Sequence, residues 1–456
     1  MATTTQNTTL RERVGDLMGR AHEDLAALVA CKSVADPRQF PAEECIKAAQ
    51  LVIDKFTDAG LGEVRLEETP DGHPAVFGHR PAPAGAPTVL LYCHYDVQPP
   101  LDPTGKAWRT PPFELHERDG RWYGRGAADC KGNIVAHLTA LRALGNALPV
   151  GVKLIAEGSE EQGTAGLERF VPTHADLLRA DAIIVADVGN FAVGVPTLTT
   201  ALRGYAEAVI TVSTLETPMH SGMFGGPAPD ALLALIRILS TLRDDRGNTT
   251  IRGLSADARW SGIDYPADQF RADAHVLDGV DLLGDGRVAD LLWSRPAVTV
   301  LGIDCPPVVG SAPAVPAQAR ALVSLRVPPG LDAQDAQDAL VEHLRAVAPW
   351  HVKVEIAPET PGQPFSAATG GPAYATMDRA LEEAFGRPIT TEGAGGSIPL
   401  CNVLSETFPD AEIILLGVEE PRCLIHAPNE SVDPREIEHI ALAEALFLQG
   451  YADRQP

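Results

Sequence analysis

Leucine and valine recur at helical spacing from about residue 10 to residue 29, which predicts an opening helix. A second helix is expected over residues 42–59, stopped by Gly60. Short apolar runs then alternate with helical patterns. Residues 88–93, 152–156 and 182–186 read as buried strands, with a helix over residues 134–144 between the first two. Such alternation points to an α/β sheet with helices on both faces.

From about Leu202 the pattern changes. A strand at 205–213 precedes an apolar helix at 229–242 that starts at Pro227 or Asp230, and then a long, mostly irregular acidic and aromatic stretch reaches about Trp293. Strands at 297–303 and 319–327, a helix at 333–347 and a strand at 351–356 follow. This is the strand–helix–strand–strand–helix–strand order of a split βαβ sandwich. A Pro/Gly-rich segment, 358–364, returns the chain, and a helix near 373–385, a strand at 412–416 and a last helix at 434–449 complete the first domain. The expected fold is therefore α/β, a mixed central sheet flanked by helices, interrupted by an α+β, ferredoxin-like insert. The expected boundaries are residues 1–201 and 361–456 for the larger domain and 202–360 for the insert.

Composition narrows the class. At roughly 100–200 residues per domain, 456 residues make two or three domains, and 45% hydrophobic with 21% charged residues suits a soluble chain with a sizeable core. A net charge of -24 argues against nucleic acid, whose phosphates attract basic surfaces. Seven cysteines without C-x-x-C pairs indicate neither a disulfide framework nor a thiolate zinc site. There is no basic start with an apolar core of a secretory signal, and no run approaches the roughly 20 apolar residues of a membrane span. A cytoplasmic protein with no membrane partner is expected.

The chemistry sits at the expected strand ends, where open α/β sheets build their sites. His94 and Asp96 close the first strand, Glu160 and Glu161 follow the second, and Asp187 ends the third; Asp129 lies in Gly-Arg-Gly-Ala-Ala-Asp, and His426 in Ile-His-Ala-Pro-Asn-Glu. Each piece alone has an ordinary structural explanation. Together, in this order and flanked by glycines, they describe a two-metal hydrolase. Imidazole and carboxylate suit zinc and its neighbours, and metals about 3.5–4 Å apart share a bridging carboxylate and a bridging water. Asp129 can bridge, with His94 and Asp187 on one metal and Glu161 and His426 on the other. Asp96 can orient the ring of His94, and Glu160 can move a proton from the bridging water to the leaving nitrogen.

These motifs resemble the co-catalytic zinc peptidases that include aminoacylase, carboxypeptidase G, acetylornithine deacetylase and the carnosinase-type dipeptidases, over nearly the whole chain from His94 to His426. The resemblance implies the same five ligands, the same base and orienting acid, and a peptide bond after Asp129 that is often cis. It leans to the dipeptidase branch, because Asp187 stands where acylase-like members tend to carry Glu. It further implies that His220, in Pro-Met-His-Ser-Gly-Met-Phe-Gly-Gly, stabilises the oxyanion in the partner's site of a dimer joined through the lid. Arg326, in Ser-Leu-Arg-Val-Pro, is implied to bind the substrate's free carboxylate, and Gly396 and Ser397 to contact the substrate backbone. One departure is Ala312-Pro313-Ala314 where a polar lid residue is usual.

The expected activity is metal-assisted amide hydrolysis of dipeptides or short peptides with a free carboxylate. The alternatives are a deacylase or carbamoyl amidohydrolase acting on N-acyl or N-carbamoyl amino acids and, more remotely, an inactive peptide-binding scaffold. Two divalent ions are implied, zinc first, with manganese or cobalt accepted by the same donors.

Overall fold

The computed structural model describes residues 2–452, with side chains from residue 9 onward. It divides into two compact units: residues 1–200, 367–392 and 400–456 in the first, and residues 201–366 and 393–399 in the second.

The first unit is built on a mixed sheet. Its strands run in the order Gly62–Glu67, Ala75–Arg80, Gly151–Glu157, Thr88–His94, Ala182–Ala186, Glu412–Leu416 and Thr197–Leu202. The four central strands, Gly151–Glu157 to Glu412–Leu416, are mutually parallel, and the outer pairings are antiparallel. Ala182–Ala186 is buried along its whole length, as a parallel strand covered on both faces must be. The register places His94 beside Glu157, and Leu416 beside Ala186, so four carboxyl ends come out level. Helices Ala2–Ala30, Lys131–Leu144, Pro372–Phe385 and Pro434–Tyr451 pack on one another, while Glu43–Asp58 covers the two antiparallel strands at the edge. A small sheet of His116–Arg118, Arg121–Tyr123 and Ser431–Val432 ties the segment before Asp129 to the segment after His426.

The second unit is a four-stranded antiparallel sheet in the order Ala297–Asp304, Gln318–Val327, Gly204–Ser213 and Lys353–Pro358. Strand Gly204–Ser213 alternates strictly between buried and half-buried positions, the period-2 signature of a sheet with one covered face. Helices Ala231–Ser240 and Ala333–Ala346 supply that cover. Asp230 and Asp332 cap them by accepting from the backbone N–H three residues on, each at 3.0 Å. The excursion between helix Ala231–Ser240 and the strand at Ala297 is mostly irregular, as its composition suggests, but it contains a short helix, Ala267–Asp273.

Candidate metal centre

His94 is the last residue of its strand and is fully buried. Its Nε2 lies 2.9 Å from Asp129 Oδ1 and 3.0 Å from Asp187 Oδ1. The other ring nitrogen, Nδ1, faces the Asp96 backbone oxygen at 3.1 Å and its Oδ1 at 3.4 Å. Asp96 does a second job, accepting from the backbone N–H groups of Glu160 and Glu161 at 3.2 and 3.1 Å. One buried residue therefore fixes both, the ring through its backbone oxygen with the carboxylate alongside, and the turn after the neighbouring strand through its carboxylate.

On the other side, His426 Nε2 is 3.0 Å from Asp129 Oδ2 and 3.1 Å from Glu161 Oε2. Its side chain is 54% exposed, whereas that of Glu161 is 3% exposed. Gln98 steadies Glu161 through its backbone N–H and its side chain. Asp129 thus stands between two histidines and gives one carboxylate oxygen to each. The peptide bond from Asp129 to Cys130 is cis.

The electrostatics describe a site made for cations. Burial opposes a charge on the His94 ring, yet Asp187 and Asp129 beside it raise its pKa well above the ordinary value. Hydrogen bonds to Asp129 and Glu161 push His426 up to about 11. Asp187 is pushed up to about 6 by burial and by its acidic neighbours, and burial with the charge of Asp187 raises Glu160 further. Asp129, hydrogen-bonded to two rings, is held low against its burial. Metal-free, the cluster balances its carboxylates with protons on imidazole, and a metal would displace those protons.

The donor set fits. Two groups of ligand atoms, Asp129/Glu161/His426 and Asp129/Asp187/Glu419, each lie within 4.8 Å of one another. Ligands on a tetrahedral ion with bonds of about 2.0–2.2 Å stand roughly 3.3–3.6 Å apart. The contacts around Asp129 need to open only slightly to reach that spacing. Cys130 also lies beside His94 and Asp187, but burial pushes its thiol up to about 12 and it donates to the Ala186 carbonyl at 3.0 Å. A protonated thiol is a poor ligand.

Two residues of the site escaped sequence reasoning. Glu419, buried, brings a carboxylate beside Asp129 and Asp187, and its pKa is raised well above the ordinary range by burial and by those two charges. The backbone there is tight: a Cβ on Gly189 would stand 2.0 Å from the Glu419 carbonyl oxygen. Glu430 is a clip. Its Oε2 accepts from Arg125 Nη1 at 2.7 Å and Gly126 N at 3.0 Å, and its Oε1 from Ala128 N at 3.0 Å and Asp129 N at 3.2 Å. The neighbouring Asn429 accepts from Arg109 N and donates to the Ala107 carbonyl. The loop carrying His426 is thereby fastened to the loop carrying Asp129. Glu430 was visible in the Asn-Glu string after His426, but nothing in a string says which backbone it will bind.

The remaining candidates belong to the second unit. His220 is exposed, and its Nδ1 accepts from Gly222 N at 3.1 Å, so the proton sits on Nε2 as a free donor. Pro313, at the position of the unusual lid residue, gives its carbonyl to Ser221 N at 2.8 Å. Arg326 lies on strand Gln318–Val327 opposite Tyr205 and Ala297. Gly396 is exposed and Ser397 half-buried, just after strand Thr390–Ala394.

Comparisons with known proteins agree with this chemistry. The profile of peptidase family M20/M25/M40 matches residues 90–449. A cysteinylglycine-S-conjugate dipeptidase of Corynebacterium striatum is 45% identical over 440 residues, covering 95% of each chain. A Beta-Ala-His dipeptidase of Rattus norvegicus is 27% identical over 89% of this chain and 88% of its own. Among solved structures, the dipeptidase Dug1p of Saccharomyces cerevisiae superposes with a TM-score of 0.82 at 21% identity, covering 99% of each chain, which shows a shared fold.

Proposed function

The chain belongs to peptidase family M20/M25/M40 and is a metallopeptidase, and we propose that it hydrolyses dipeptides and short peptides with a free C-terminal carboxylate, S-conjugates of cysteinylglycine among them. The observation that carries this reading is Asp129, whose two oxygens meet His94 and His426 at 2.9 and 3.0 Å inside a ring of acids. The 45% identity to a cysteinylglycine-S-conjugate dipeptidase supports the substrate class.

Two divalent ions, zinc in this reading, would be held by His94, Asp129 and Asp187 and by Asp129, Glu161 and His426, and would polarise the scissile carbonyl and acidify the attacking water. The side chains do the rest. Glu160 takes the proton of that water and returns it to the leaving nitrogen, a role that suits a half-buried carboxylate whose proton affinity is raised by desolvation and by the charge of Asp187. Asp96 fixes the ring of His94 and the turn of Glu160 together, so that ligand and base keep one relative geometry. His220, with its donor on Nε2, stabilises the oxyanion. Arg326 pairs with the terminal carboxylate, and Gly396 and Ser397 meet the peptide backbone.

A homodimer through the second unit belongs to the same proposal. Its edge strand Ala297–Asp304 leaves Val300, Leu301 and Ile303 exposed, and Val308 and Val309 follow them at 92% and 90% exposure. Such an apolar edge asks for a partner. Among the described residues no helix is long and apolar enough to cross a membrane. Seven free cysteines favour the cytoplasm.

The test is turnover after chelation and reloading with zinc, manganese or cobalt. The panel contains cysteinylglycine and its S-conjugates, other dipeptides, and N-acetyl and N-carbamoyl amino acids. Turnover confined to the dipeptides is expected. Preference for the N-acyl or N-carbamoyl compounds would overturn the substrate class, and a chain that binds no metal would overturn the chemistry.

A further inference from the structure

Arg203 joins strand Thr197–Leu202 to strand Gly204–Ser213 and is only 8% exposed. Its Nε has no hydrogen-bond partner, and among the described residues no carboxylate forms an ion pair with it. Other buried arginines also leave one nitrogen over, Arg125 Nε and Arg142 Nε among them, but each keeps a carboxylate: Arg125 meets Glu430 and Arg142 meets Asp24. Arg243, in the same unit as Arg203, donates to the carbonyls of Gly247 and Val298 at 2.5 and 2.6 Å. A mostly buried guanidinium with an unpaired nitrogen and no carboxylate beside it costs stability and calls for an anion that arrives from outside.

The neighbours of Arg203 say which anion. In the antiparallel register Gly204 faces Val327 and Tyr205 faces Arg326, so Arg203 lies one position beyond the last pair, two residues from the partner of the second arginine. The two are close enough for the charge of Arg326, after burial, to push Arg203 down to about 10. The turn that follows strand Thr390–Ala394 lies against the same group. Arg203 N donates to the Ala394 carbonyl at 3.2 Å, and a Cβ on Gly395 would stand 2.9 Å from Arg203 Nη2. The Gly395 backbone thus lies close beside the guanidinium, and Ser397 comes two residues later.

We propose that Arg203 is a specificity-determining residue that, with Arg326, forms a two-arginine subsite for the substrate's terminal carboxylate. This deepens the dipeptidase reading above and rests on it. Two planar forks match one carboxylate in a way that a single arginine or a lysine does not. Like charges held together, one buried and one half-buried, repel until a negative group joins them, so the subsite discriminates strongly against substrates whose terminus is neutral.

The experiment compares alanylglycine with its C-terminal amide on the metal-loaded enzyme, wild type against Arg203→Met and Arg203→Lys. One charge-assisted hydrogen-bonded contact corresponds to roughly 10- to 150-fold in affinity. Arg203→Met is expected to raise KM for the free acid by about that factor with kcat little changed, and to leave the amide as it was. The preference for acid over amide then collapses by the same factor, and Arg203→Lys restores part of it. Because each preference is a ratio within one preparation, a misfolded fraction cancels. An acid-to-amide ratio in Arg203→Met equal to that of the wild type would overturn the proposal. Absence of dipeptide turnover in the metal-loaded wild type is a separate result and would overturn the underlying dipeptidase reading.

Discussion

Asp129 gives each of its oxygens to a different histidine while Glu430 holds its backbone N–H, so its carboxylate has little freedom left. At this scale the ligands and the residues that position them are separable by experiment. Glu160→Gln is expected to retain both metals and lose about 10²–10⁴-fold in kcat; metal content and turnover on one sample check it. Glu430→Gln replaces an acceptor of four N–H donors by an amide that must also donate. It should weaken metal affinity about 10- to 100-fold, as the loss of partners behind a ligand does, and equilibrium dialysis reads it without reference to activity. Metal affinity should also fall with pH, and the sign follows from the histidines. Metal-free His94 and His426 have raised pKa values, His426 up to about 11, so both are protonated at neutral pH and must release protons when metal enters. Below about pH 6 Asp187 adds another competing proton. Calorimetry in buffers of different ionisation enthalpy should show proton release on binding near pH 7, and a Kd that rises about tenfold for each unit by which the pH is lowered, per proton displaced.

The site exists because four parallel strands end level, and the loops leaving them bring Asp96, Glu160, Asp187 and Glu419 together. Gly189 sets how closely two of those loops approach. Gly189→Val should force them apart, at a cost of about 1–3 kcal/mol or more for overpacking. Thermal unfolding and metal content should fall together. Elements of this kind were legible when their sequence was uniform. Ala182–Ala186 and residues 413–416 are continuous apolar runs, the composition of strands buried on both faces. Strand Gly62–Glu67 was missed because it is an edge strand of mostly exposed polar positions. Thr390–Ala394 was missed because Thr-Thr-Glu-Gly-Ala carries no apolar signal. Both owe their conformation to the strand beside them.

Across the whole molecule, all five proposed ligands belong to the unit formed by residues 1–200, 367–392 and 400–456. Ligand binding stabilises only what it binds, by about 4 kcal/mol at a thousand times Kd. Chelation should therefore lower the melting temperature of that unit while leaving the transition of residues 201–366 and 393–399 in place. Calorimetric scans with and without chelator test this, and readdition of zinc should restore the first transition.

The chain by itself determined the class of chemistry and the order of its parts. His94, Asp129, Glu161, Asp187 and His426 are the proposed donors of a two-metal site, and the positions of His94, Glu161 and Asp187 after apolar runs are written in period and composition. Hydrophobic periodicity is local, so it survives in a linear string. Tertiary structure alone decided what lies between these residues. Glu430 finds four backbone and side-chain donors that precede it by about three hundred positions, and Glu419 approaches Gly189 through a contact that only glycine permits. The Arg203 Nε is left without a hydrogen-bond partner among the described residues. Hydrogen bonds and close approaches between distant segments depend on where the chain returns, and a string of residues carries no distances.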